Sequence, residues 1–213
     1  MGKVCLMSYK NLFSLTRNMV GKIFSIVRVV IKSLISLRRN ILMGVLSGNP
    51  QNEPMHYGEV FGIWSYLAAA QGAIAGYQVL INHTGDEDLK KFLENLVEND
   101  IQSEVEELKN LLKLNGVALP PAPPERPVAS IETIPPGARI NDAEIAAKVS
   151  MDLAAGLVAC SQAMGQSLRE DVGMMFGQFH MKKAQAGAIL LRLNKKKGWI
   201  IPPPLHVQQS EQA

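Results

Sequence analysis

Residues 117–141 read VALPPAPPERPVASIETIPPGARIN, and this stretch decides the architecture. It holds seven of the chain's twelve prolines, including Pro120, Pro121, Pro123 and Pro124, so it cannot stay helical for more than a turn. Extended at about 3.3 Å per residue, a segment of this length reaches from one end of a long helix to the other. It predicts a crossover between helices that share a direction, not a tight turn.

Helical patterns flank it on both sides. Val60, Ile63, Leu67, Ala70, Ile74, Tyr77 and Ile81 recur at spacings of three and four, the stripe of one long helix. Gly85 followed by Asp86 predicts a helix stop and a new N-cap. A second helix then runs back antiparallel over 86–115, with Leu89, Leu93, Val97, Ile101, Val105, Leu108 and Leu112 among its apolar positions. Beyond the crossover, Asn141 and Glu144 stand at capping-box spacing, and the third helix continues through Ile145, Val149, Leu153, Gly156, Cys160, Met164 and Leu168. A fourth begins near Asp171 and closes on Lys195-Lys196-Lys197-Gly198, where the cations suit the helix dipole and glycine supplies the stop.

The two halves look alike. Leu111-Leu-Lys-Leu-Asn115 precedes one proline run and Leu190-Leu-Arg-Leu-Asn194 another, while Asp88-Leu89 matches Asp171-Val172. Two αα-hairpins joined by one long proline-rich crossover describe an all-α, ferritin-like four-helix bundle.

Charge divides the chain differently. Residues 1–42 carry eight Lys/Arg and no acidic residue, which leaves 14 basic groups against all 19 acidic ones from Met43 onward, a net charge of −5. The overall +3 is therefore no argument for nucleic-acid binding. Two cysteines, neither in a CxxC pair, exclude a secreted disulfide scaffold and fit a cytoplasmic protein.

The leader has three open readings. Ser25, Arg28, Lys32, Ser36 and Arg39 recur among Ile, Val and Leu as in a basic amphipathic helix lying on a membrane surface. Alternatively, Arg38-Arg39 is compatible with AGG AGG, a bacterial ribosome-binding sequence, with three codons as spacer before Met43. Residues 1–42 would then be untranslated message read in frame. A targeting peptide is the third reading, although no small-residue cleavage site is present. Membrane contact is expected only if the leader is translated. The division expected is leader 1–42, helical bundle 43–207 and tail 208–213.

Met43-Gly-Val-Leu-Ser-Gly-Asn-Pro50, His56-Tyr-Gly-Glu-Val-Phe61 and Gly198-Trp-Ile-Ile-Pro-Pro-Pro204 resemble a family of spore-forming Gram-positive bacteria, domain of unknown function 3231, similar to spore coat protein F. The resemblance spans nearly all of 43–207 and leaves the leader outside. It implies a ferritin-like fold, spore association and coat proteins as partners; none of its motifs is a catalytic signature.

A ferritin-like di-metal centre takes a Glu from each of two helices and a Glu-x-x-His from each of the others. No Glu-x-x-His occurs in the chain. The nearest remnants are Glu98-x-x-Ile101 and Gly177-x-x-His180, so Glu98 and His180 are the candidates for a reduced iron or manganese site. Glu59 and Glu144 each fall in the first turn of their helices, at opposite ends of a crossover topology, and favour the helix dipole instead. Leu67–Gly76 and Leu153–Met164 contain no carboxylate, which predicts an interior that is dry and uncharged at mid-height.

Other chemistry is sparse. Met151, Met164, Met174, Met175 and Met181 with Cys160 suggest soft Cu(I) ligands but fit gap-filling methionines in a core better. Cys160 lies in an apolar stripe with no basic residue within eight positions and makes a poor nucleophile. The 26 uncharged residues between Glu59 and Asp86 suit a buried bundle helix better than a membrane span. Ala68, Gly72, Ala75 and Gly76, with Ala155 and Ala159, predict close helix approach within the bundle or across a dimer interface. The leading expectation is a non-enzymatic, cofactor-free helical protein that self-associates, with a metal or small-molecule binding protein as the alternative.

Overall fold

The computed structural model describes residues 53–204. The leader 1–42 and the tail 208–213, with the membrane-surface reading of the leader, lie outside the described residues. Among those described, every regular element is helical and no strand is present. The elements are α1 (Tyr57–His83), α2 (Glu87–Asn95), a π-helical turn (Leu96–Ile101), α3 (Gln102–Leu114), two short 3-10 turns, α4 (Asp142–Gln166) and α5 (Glu170–Lys197). Because α2, the π turn and α3 follow without a break, the described residues make four helical rods.

Caps fix the rod ends. His56 starts α1: its Nδ1 accepts from the Gly58 and Glu59 amides at 3.0 and 3.3 Å, and Glu59 Oε2 accepts from the His56 amide at 3.1 Å. Asp86 Oδ1 accepts from the Asp88 and Leu89 amides, and Asn141 with Glu144 forms the expected capping box. Each supplies acceptors for amides that lack an intrahelical partner. Gly198, in the left-handed region at φ 72°, stops α5. Gly85 is not such a stop; α1 is capped by extended Thr84, whose Oγ1 donates to the Leu80 carbonyl at 2.8 Å. Leu168, expected in the third helical stripe, lies beyond the end of α4 and is exposed.

The π turn has a cause in the spacing. Leu89, Leu93, Val97, Ile101 and Val105 are all buried and stand four residues apart. At about 100° per residue, each step of four overshoots a full turn by about 40°. One wider turn takes up the excess and returns Ile101, Val105 and Leu108 to the core. As a result, Leu93 and Val97 precede the buried Val172 and Phe176 by 79 residues, whereas Leu108 and Leu112 precede the buried Ala186 and Leu190 by 78. The Leu-Leu-x-Leu-Asn repeat is thus out of step with burial by one residue.

Contacts at the rod ends give the directions. At one end, His56 Nε2 donates to the Gln166 carbonyl at 3.2 Å, and Glu59 Oε1 accepts from the Leu168 and Arg169 amides at 2.7 and 2.9 Å. Arg169 also donates to Asn115 Oδ1 at 3.2 Å. At the other, the Gly85 amide donates to Asp142 Oδ1 at 2.9 Å, and Lys197 pairs with Asp86 and Asp88. So α1 and α5 run one way, while α2–α3 and α4 run the other. The proline-rich segment travels along α1, joined through Trp64 to Ala118, Gln78 to Arg126, and Asn82 to Pro127 and Ala129. No helix among the described residues is long and apolar enough to cross a membrane.

Candidate functional site

Four core positions, one from each rod, carry polar or sulfur-bearing side chains at one level. On α5 the buried stripe Val172, Phe176, Phe179, Ala186, Leu190 steps by three and four only if Lys183 fills its fourth place. On α3, Glu104 sits between Ile101 and Leu108 at the same spacing; on α1, Tyr66 sits between Ile63 and Ala70; on α4, Cys160 follows Leu153 by two turns.

These residues meet. Lys183 Nζ donates to both Glu104 oxygens, at 2.5 and 2.6 Å. The Tyr66 hydroxyl donates to Glu104 Oε2 at 3.2 Å and stands 3.3 Å from Cys160 Sγ. The ammonium lies 5.8 Å from the Tyr66 ring centroid, within cation–π range. Phe176 meets Tyr66 edge-on at 5.1 Å and Phe179 lies within 6.5 Å of it, so the pair has an aromatic wall. Glu104 is 1% exposed and the Lys183 side chain 13%. The interior at this level is therefore charged, which corrects the expectation of an uncharged core.

Desolvation governs the electrostatics. Burial pushes the Glu104 carboxyl above its ordinary value, with the Lys183 ammonium and the Tyr66 hydroxyl acting against it. Burial holds the Tyr66 phenol far above its usual value, reinforced by the neighbouring Glu104 charge. Burial also raises the Cys160 thiol, which keeps it protonated and unreactive.

A cavity of about 490 Å³ adjoins the pair. Gly72, Ala73 and Gly76 of α1 and Ala155 and Ala159 of α4 form its walls, and the π turn brings Leu96, Asp100 and Ile101 to it. The small residues were expected to draw helices together; here they leave a space between α1 and α4. Lys148 pairs with Asp152 at its edge, at 2.6 Å.

The two candidate ligands inferred from sequence are not joined by any hydrogen bond or ion pair: Glu98 is exposed on the π turn, and His180 is half-buried on α5. No group of three or more His, Cys, Asp or Glu that could hold a metal occurs among the described residues. Glu59 is buried and caps the start of α5 as well as its own helix; Glu144 is exposed in its capping box. Met164 and Met175 pack against the core, but Met151, Met174 and Met181 are exposed, which corrects their reading as core fillers. Glu104 and Lys183 fall outside the sequence-based expectation because it follows α3 and α5 through their apolar residues alone. The signal was the gap in each stripe, occupied by a charge.

Comparison with known proteins gives three similarities. Residues 43–211 match the family described as Protein of unknown function (DUF3231). The uncharacterized protein YvdQ of Bacillus subtilis (strain 168) is 59% identical over 171 residues, 80% of this chain and 100% of that protein. A crystal structure of a candidate spore coat protein from Bacillus halodurans C-125 is 59% identical and superimposes with a TM-score of 0.73, covering 75% of this chain and 100% of that one.

Proposed function

The chain belongs to the DUF3231 family, and on that premise we propose that it is a non-enzymatic, ferritin-like four-helix bundle that serves as a self-associating structural protein of the spore. The ferritin-like reading is supported by rod directions that need a single long crossover. Spore association is supported by the similarity to the Bacillus halodurans protein.

One observation carries the non-enzymatic reading: the buried carboxylate at the level where a ferritin-like centre would hold its metals, Glu104, is neutralised by the ammonium of Lys183. A metal site gathers several carboxylates and imidazoles around a divalent ion. Here a single carboxylate has a monovalent cation built into the chain, and the remaining neighbours are a phenol and a thiol kept protonated by burial.

Self-association is supported by the outer face of α4 and α5. Met151 and Val158, one heptad apart on α4, are exposed, as are Met174 and Met181 on α5. That α4 face carries no charge between Asp152 and Gln166. Apolar residues at heptad spacing form a seam suited to a second helical pair, and a second copy of the chain is the proposed occupant.

Elemental analysis of the full chain purified without chelator tests the first half: iron, manganese and copper far below one equivalent are expected, and a stoichiometric metal would overturn it. Sedimentation velocity tests the second. A dimer that dissociates on Val158→Glu is expected; a monomer at all concentrations would refute self-association.

A further inference from the structure

The cavity between α1 and α4 has a charge balance that the buried pair leaves incomplete. Its carboxylates are Asp100, Glu104 and Asp152, and its ammonium groups are Lys148 and Lys183. Lys183 is committed to Glu104 and Lys148 to Asp152. Asp100 makes no hydrogen bond or ion pair among the described residues; Lys182 and Lys183 act on it only at longer range. Burial raises its carboxyl above the ordinary value, with the more distant Lys182 and Lys183 ammoniums acting against it, as expected for a charge held partly out of water with no cation in direct contact.

The rest of the lining is apolar. Alanines, glycines, leucines and the Tyr77 ring enclose about 490 Å³, within the range of small-molecule sites. The space opens to solvent where Gly72, Gly76 and Ala155 are exposed, and a Cβ at Gly72 or Gly76 would meet nothing within 4 Å. Asp100 is carried on the π turn, a wide turn often found at functional sites. Removing that turn would change which residues of the second rod reach the cavity.

We propose that this cavity binds an amphipathic ammonium, a molecule with a compact apolar body and one cationic head, with the head against the Asp100 carboxylate. An anionic ligand would meet the unpaired carboxylate and be repelled. A neutral apolar ligand would gain the walls but leave Asp100 without a partner. An ammonium satisfies both. The inference does not depend on the ferritin-like reading, since it uses only the cavity and its lining.

Calorimetric titration of the full chain with octylammonium, octanol and octanoate at neutral pH tests it. Octylammonium is expected to saturate one site and to bind at least about tenfold more tightly than octanol, the scale of one charge-assisted hydrogen bond. Octanoate should be the weakest. Asp100→Asn, at a partly exposed position, should reduce octylammonium to the affinity of octanol while the melting temperature holds. Gly76→Leu should abolish binding of all three by filling the space. Absence of saturable octylammonium binding, equal or tighter binding of octanol or octanoate, binding unaltered by Asp100→Asn, or binding retained in Gly76→Leu would each overturn the proposal.

Discussion

Gly156 of α4 lies directly against the aliphatic stem of Lys183: a Cβ at residue 156 would stand 2.9 Å from both Cδ and Cε of the lysine. The glycine is therefore the opening through which the stem reaches Glu104. In an exposed helix interior, Gly→Ala usually stabilises by about 1 kcal/mol. Gly72→Ala, with nothing within 4 Å of its new Cβ, should show a gain of that order. Gly156→Ala should show none and lower stability instead, because the lysine must shift off its carboxylate. Urea unfolding of the two variants side by side checks the contrast; equal gains would mean that the lysine stem is free to move.

The π turn predicts an unusual tolerance. Deleting exposed Asn99 shortens the step from Val97 to Ile101 from four residues to three, so an ordinary α-helix could carry both halves of the second rod in register. The deletion should leave a cooperatively folded protein, whereas deleting Gln71, buried in the middle of α1, shifts every later core residue of that helix by about 100° and should abolish folding. Circular dichroism melts of the two deletions distinguish them.

Much of the frame was legible because it rests on local rules. The proline run, the Asn141–Glu144 box, the Asp86 cap and the Gly198 stop each specify a backbone conformation that depends on few neighbours, and the structure has all four. The π turn was hidden because apolar spacings of four look helical one at a time; only their succession accumulates the misfit. The centre was hidden for another reason. Lys183 and Glu104 occupy core positions of stripes whose other members are apolar, and a charge there is tolerated only with a partner on a different helix. Pairing residues separated by 79 positions requires the packing, which the spacing alone does not supply. The cavity was illegible because small residues serve close packing and open space equally well.

Tyr66 and Tyr77 have phenols raised mainly by burial, with Glu104 acting on the first and Asp152 on the second. In a base titration followed by tyrosinate absorbance, both should stay protonated until the chain unfolds. Ionisation of Tyr66 or Tyr77 before unfolding would indicate that the centre is wet.

At the acid end, Asp171 is lowered below its ordinary value of 3.8, chiefly by its hydrogen bond from Arg169. A lowered carboxyl stabilises the fold above its unfolded value and loses that contribution as pH falls through the folded value. Asp171→Asn should therefore flatten the fall in stability below pH 3.8. Glu104 has the opposite sign: its raised carboxyl lowers stability as pH climbs above its ordinary 4.5, so Glu104→Gln should flatten the curve on that side. Urea midpoints measured across the acid range read both slopes.

The account rests on Lys183 serving as the internal counter-cation of Glu104. A double-mutant cycle with Lys183→Met, Glu104→Gln and the double variant, followed by urea unfolding, measures that relationship directly. Lys183→Met alone should destabilise by about 3–5 kcal/mol, because it leaves a buried carboxylate unpaired. The double variant should recover much of that loss, giving a coupling energy above about 2 kcal/mol. Additive losses, with coupling near zero, would mean that the ammonium and the carboxylate act independently and would contradict the account.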